Sequence, residues 1–185
     1  MKYDIVLSGV GGQGILLASQ VIAKAAMKKG LKVMMAETHG MAQRGGSVIT
    51  HVRLGEVYGA LIPEGHADAV VGFEYMETFR QLKFLKKGEK LVMNTHRIKP
   101  VTLNVYPDFD FDLSDYTVLT VNATEIAMNL GNVIVTNMVL LGAVSNFADL
   151  PVSTKEIKDT IKELVPEKFL ELDLKAFEEG VKAAQ

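Results

Sequence analysis

Gly9-Val10-Gly11-Gly12-Gln13-Gly14 separates two segments of opposite periodicity, and that junction decides the fold. Before it, Ile5-Val6-Leu7 is a short continuous apolar run, the pattern of a strand buried on both faces. After it, Ile15, Ala18, Ile22 and Ala25 recur at three- and four-residue spacing, which predicts a helix with one apolar face. Lys28-Lys29-Gly30 supplies cations and a left-handed cap to end that helix. Val33-Met34-Met35-Ala36 then reads as a second buried strand ending at Glu37, which completes a β-α-β unit.

The alternation continues along the chain. Val48-Ile49-Thr50-His51-Val52, Ala69-Val70-Val71-Gly72-Phe73, Leu91-Val92-Met93 and Val118-Leu119-Thr120-Val121 read as strands, with a helix over 75–85. Asn122 with Glu125, and Ser153 with Glu156, look like capping boxes that open helices. Gly131 closes the first of these helices, and Val152 can staple Ile157 across the first turn of the second. A helix over 136–147 is apolar nearly all round, so it is either deeply buried or pressed against a partner subunit. Leu170, Leu174, Phe177 and Val181 form one stripe on a terminal helix. The expected fold is α/β: a single Rossmann-like domain over residues 1–185, with a mostly parallel sheet and helices on both faces.

Composition narrows the function. Lys+Arg 20 against Asp+Glu 22 leaves a net charge of -2, which provides no bulk basic field for nucleic acid. Zero cysteines exclude disulfides, zinc–thiolate sites, a cysteine nucleophile and any iron–sulfur cluster ligated by cysteines of this chain. The start, Met1-Lys2-Tyr3-Asp4, lacks the layout of a signal peptide, and the apolar-rich stretch 133–144 is too short to span a bilayer. The expectation is a soluble, cytoplasmic protein that engages no membrane.

Two glycine-rich stretches carry the chemistry. The spacing Gly9-x-Gly11-x-x-Gly14, between strand and helix, frees backbone N–H groups, Gly12 among them, to face a diphosphate at the positive end of the helix. Glu37 lies 23 residues after Gly14, where a dinucleotide fold places the acid that holds a ribose diol. The second stretch is Glu37-Thr38-His39-Gly40-Met41-Ala42-Gln43-Arg44-Gly45-Gly46. Arg44 offers a planar fork for phosphate or carboxylate, Gly45 and Gly46 let the backbone bend around it, and Gln43 and His39 add neutral donors and acceptors. In a parallel sheet this loop leaves the carboxyl edge of strand two beside the first glycine loop, where open α/β sheets bind ligands.

Other polar groups read as structural. His51 alternates inside a strand and belongs to the core, while His66 and His96 have no companions at metal spacing, so no metal site is expected. Asp108, Asp110 and Asp112 alternate with Phe109 and Phe111, as on an edge strand with a solvated acidic face. Neither a Ser-His-Asp arrangement nor an HExxH or GxxxxGK[ST] motif is found.

Together, Gly9–Gly14 and the Glu37–Gly46 stretch resemble the gamma-type subunit of 2-oxoacid:ferredoxin oxidoreductases. The His39-Gly40-Met41-Ala42-Gln43-Arg44-Gly45-Gly46 form is most similar to the small (beta) subunit of indolepyruvate:ferredoxin oxidoreductases. The resemblance runs over essentially the whole chain, including Asn137-Met138 and Leu141-Gly142-Ala143. It implies an enzyme that decarboxylates an aryl 2-oxoacid on thiamine diphosphate, passes electrons through iron–sulfur clusters to ferredoxin, and delivers the acyl group to coenzyme A. Thiamine diphosphate and the clusters would lie on a larger partner subunit, and this chain would be inactive alone. Gly9, Gly11, Gly12, Gln13, Gly14, Glu37, Arg44, Gly45 and Gly46 would then line the active-site mouth at the interface, orienting coenzyme A phosphates or the surroundings of the bound cofactor, supported by Gln43 and His39.

Two other readings fit the glycine fingerprint: a stand-alone NAD(P)-dependent oxidoreductase and a non-catalytic nucleotide-binding Rossmann module. Against the first, the sequence holds no Tyr-x-x-x-Lys pair to donate a proton.

Overall fold

The computed structural model describes residues 1–40, 45–100, 103–107 and 111–185. Six strands among them, β1 (Lys2–Val10), β2 (Val33–His39), β3 (Ser47–Gly55), β4 (Ala67–Gly72), β5 (Leu85–Asn94) and β6 (Thr117–Val121), form one sheet in the order β2-β3-β1-β4-β5-β6. β1, β4, β5 and β6 run parallel. β3 is antiparallel to both β1 and β2, so β2 again points the same way as β1. The mostly parallel sheet is therefore as expected, with one correction to the β-α-β unit. β2 does not pair with β1, because the chain turns back after His39 and lays β3 between them, Ile5 opposite Val52 and Met35 opposite Val52.

The pleat sends alternate side chains to opposite faces. Ile5, Leu7, Ala69, Val71 and Val92 face a large core covered by α1 (Ile15–Lys28), α3 (Ala123–Asn129), α4 (Thr136–Phe147), α5 (Thr154–Leu164) and α6 (Glu167–Ala183). Val6, Val70, Leu91 and Met93 face a smaller core closed by Ile62 and by Phe79 of α2 (Tyr75–Gln81). Helices thus cover both faces, unequally.

α1 ends as its sequence predicts, with Gly30 at a φ of 83° and its N–H bonded to Met27 O at 2.9 Å. α4 is buried along nearly its whole length against α6. Ser153 and Glu156 form the capping box of α5, and Val152 and Ile157 are both buried. Asn122 departs from expectation. Its Oδ1 accepts from the Thr95 hydroxyl at 3.0 Å and its amide donates to Glu125, so it makes no cap bond to α3. Of the acidic–aromatic stretch, 108–110 lies outside the described residues. Phe111 and Asp112 are not in a strand, and Phe111 instead stacks on Phe79 at 4.4 Å.

The edge opposite the glycine loop is fixed by a buried ion pair. Arg53 donates from Nε and Nη2 to the two oxygens of Asp4 at 2.9 and 3.1 Å, and its Nη1 reaches the carbonyls of Gly59 and Leu61. His51 is a core residue as expected: it is buried, its Nδ1 accepts from the Ile62 N–H, and its ring meets Phe84 edge-on.

Candidate functional site

The chain leaves β1 through α1 on one face and β4 through α2 on the other, so the β1–β4 boundary is where the connections diverge. Ligands of open α/β sheets bind in the crevice at such a boundary. The glycine loop lies there. Gly9 has no room for a side chain, since a Cβ would stand 2.8 Å from Phe73 Cβ. Gln13 crosses the boundary: its Oε1 accepts from Val10 N at 2.7 Å and its Nε2 donates to Phe73 O at 3.0 Å. That side chain holds the loop against β4. Gly12 and Gly14 adopt left-handed conformations, with φ of 99° and 74°, which glycine reaches without strain.

The second glycine stretch meets the first through the backbone. Gly11 donates its N–H to Gly46 O at 2.9 Å, and Gly40 donates to Ser47 O at 2.7 Å. Gln43 and Arg44 lie outside the described residues. Gly45, at a φ of 76°, stands beside the glycine loop over a separate recess lined by Val10, Ser47 and Glu77.

Between the loop and the end of β2 is an open cavity of about 520 Å³, lined by Gly11, Gly12, Gly14, Leu16, Glu37 and His39, among others. Gln13 also borders it. Among the described residues, the N–H groups of Gly12, Ile15 and Leu16 have no acceptor, as expected for the first turn of a helix whose cap, Gly14, has no side chain. Glu37 and His39 share one face of β2, two residues apart. His39 Nε2 stands 2.6 Å from Glu37 Oε1 without the alignment of a hydrogen bond, and that buried oxygen accepts none. The cavity therefore offers unpaired donors at one end and, at the other, an acid oxygen that accepts no hydrogen bond and stands beside His39. A diphosphate suits the first and a hydroxyl the second.

Two further acids support the crevice. Glu74 is buried and caps α2 by accepting from Glu77 N at 2.9 Å, and it also accepts from Ile98 N and from the Tyr106 hydroxyl at 2.8 Å. Burial and this carboxylate push the Tyr106 hydroxyl pKa upward. Glu77 accepts from the Ser47 hydroxyl at 2.6 Å, which ties α2 to the start of β3. Sequence reading passed over both; the available signal was an acid at the N-cap of a predicted helix, Glu74 before Tyr75. No group of three or more metal-ligating side chains gathers among the described residues.

This fold and site define an α/β protein that presents a glycine loop and a helix N-terminus at the carboxyl edge of a mostly parallel sheet. The chain belongs to the pyruvate ferredoxin/flavodoxin oxidoreductase family, whose family model matches residues 4–183. It is 43% identical to the indolepyruvate oxidoreductase subunit IorB of Thermococcus kodakarensis, over 100% of this chain and 96% of that one. Among solved structures it is similar to the gamma subunit of a keto/oxoacid ferredoxin oxidoreductase from Geobacter sulfurreducens. The TM-score is 0.77 and the identity 28%, covering 98% of each chain. The 2-oxoglutarate:ferredoxin oxidoreductase of Magnetococcus marinus, solved with 2-oxoglutarate, coenzyme A and succinyl-CoA bound, shares the fold. There the TM-score is 0.78 at 23% identity, over 99% of this chain and 31% of that longer one. The chain is thus a gamma-type small subunit of a 2-oxoacid:ferredoxin oxidoreductase complex. No helix among the described residues is long and apolar enough to cross a membrane.

Proposed function

We propose that this chain is the small subunit of an aryl-pyruvate oxidoreductase, with indolepyruvate as the 2-oxoacid, ferredoxin as electron acceptor and an acyl-CoA as product, working in the cytoplasm. The whole chain acts as one gamma-type domain, and a larger partner subunit carries thiamine diphosphate and the iron–sulfur clusters. The likeness to the Thermococcus kodakarensis subunit supports the substrate class. The absence of cysteine in the sequence supports placing the clusters on the partner.

The role of this chain is to bind and orient coenzyme A at the interface. The observation that carries it is the meeting of the two glycine stretches, Gly11 N–H on Gly46 O, beside a cavity with unpaired donors and one acid oxygen that accepts no hydrogen bond. The N–H groups of Gly12, Ile15 and Leu16 face the diphosphate, and Glu37 accepts from a ribose hydroxyl. Arg44 clamps a phosphate, with Gln43 and His39 as polar neighbours. Gly9, Gln13, Gly14, Gly45 and Gly46 shape the backbone around it. Binding energy spent on the remote phosphates fixes the thiol end without any reaction on this chain.

The test is kinetic, on the assembled complex with indolepyruvate and an electron acceptor. Arg44→Ala is expected to raise the coenzyme A KM about tenfold, the loss of roughly 1.4 kcal/mol, while assembly is unchanged. An Arg44→Ala complex that assembles and keeps both its coenzyme A KM and its kcat overturns the role. A nicotinamide dinucleotide that stabilises the free chain would instead favour a plain nucleotide-binding module.

A further inference from the structure

Beside the glycine loop, on the side of the sheet that carries the larger core, lies an apolar groove of about 300 Å³. Leu17 of α1, Ile134, Val165, Pro166 and Phe169 line it, together with Asp173 of α6. Ile134 is 74% exposed and Phe169 51% exposed, which is costly apolar surface for a chain that remained alone in water.

Asp173 does not fit an apolar groove that serves only as a gap in packing. It is 8% exposed, and among the described residues it has no hydrogen bond and no ion pair. Neighbouring acids of the same helix are satisfied: Glu171 pairs with Lys175 at 2.9 Å and Glu178 with Lys158. Desolvation alone holds the Asp173 carboxyl above the usual carboxylate range. A carboxylate held largely out of water without a partner is unfavourable, and a cation brought into the groove would offset that cost.

We propose that this groove is the docking site for the larger partner subunit, which inserts an apolar segment bearing one arginine or lysine whose head pairs with Asp173. Charge complementarity selects this occupant over a second copy of the chain. A two-fold contact of the groove with itself would bring two unpaired carboxylates together. The groove also adjoins the cavity through α1 and α4. Asn137 of α4 borders it and packs against Gly14, so a segment seated here abuts the glycine loop. The inference rests on the existence of the larger subunit, not on what the cavity binds.

The experiment measures binding of the purified full-length chain to the larger subunit, together with the thermal stability of the free chain. Wild-type binding comes first; its failure counts against the assignment of a larger partner and separates that case from the ones below. Asp173→Asn is expected to raise the melting temperature of the free chain and yet weaken binding at least tenfold. A merely structural aspartate would lower both. Ile134→Glu, at an exposed position, is expected to leave the free chain folded and to weaken binding at least tenfold. Retention of wild-type affinity by either variant overturns the proposal. So does a chain that dimerises through this face, with Ile134→Glu abolishing the dimer and sparing the larger subunit.

Discussion

Gly14 and Asn137 are in contact across the junction of α1 and α4: a Cβ on Gly14 would stand 2.9 Å from Asn137 Cγ and closer still to its amide nitrogen. Gly14 also holds a φ of 74°. Two separate costs therefore oppose a side chain here, a left-handed conformation worth about 1–2 kcal/mol and an overlap worth about 1–3 kcal/mol. Gly14→Ala is expected to destabilise the chain by about 2–5 kcal/mol in denaturant unfolding. Asn137→Ala on the same background should recover the overlap part and leave the conformational part. A double-mutant cycle with no coupling between the two sites would show that the contact carries no energy.

A second close approach holds the helical layer together. Gly142 of α4 faces the backbone of α6, with Val181 N 2.9 Å from its Cβ position, and Gly180 of α6 faces Val139 of α4, with the carbonyl carbon 2.7 Å away. Gly180→Ala must push two buried helices apart and is expected to cost about 2–3 kcal/mol. Gly59→Ala is the control, since nothing lies within 4 Å of its Cβ position and its φ is not left-handed. Equal melting temperatures for the two variants would refute the reading.

Glu37 gives a prediction of opposite character. Its buried Oε1 accepts no hydrogen bond and its neighbour His39 is an exposed ring, so Glu37→Gln should leave stability within about 0.5 kcal/mol. It should nevertheless raise the coenzyme A KM about tenfold in the assembled complex, at roughly 1.4 kcal/mol. Unchanged KM with lowered stability would make Glu37 a structural residue.

His51 contributes to the pH dependence of stability. Burial first, and Arg53 second, lower the His51 pKa below its ordinary 6.5, with Asp4 opposing. The unfolded chain then takes up a proton that the folded chain refuses, so this contribution is present above about pH 6.5 and lost as pH falls below it. His51→Gln is expected to flatten the loss of stability just below that pH. A slope identical to wild type would assign it to other groups.

Much of the fold could be read because its signals are local. The strand–glycine–helix junction, the ends of α1 and the Ser153 box depend on residues within one or two turns of each other. The position of β3 could not be read, because pairing of Val52 with Ile5 on one side and Met35 on the other is a long-range outcome. Asn122 misled because its cap competes with Thr95, 27 residues away. That Glu37 and the glycine loop border one cavity followed from spacing, whereas the dual use of the Gln13 amide required the neighbouring strand. Asp173 had left a trace: it lies three residues after Leu170 and four before Phe177, on the apolar stripe of α6.

The reversal of β3 lays its first residues between the ends of two strands, so that Val48 stands opposite His39 on one ladder and opposite Gly9 on the other. A single residue thus belongs to both ladders at the mouth of the cavity. Strand register, rather than any side chain in the lining, therefore sets how far the glycine loop stands from the end of β2 and so gauges the width of the opening between them.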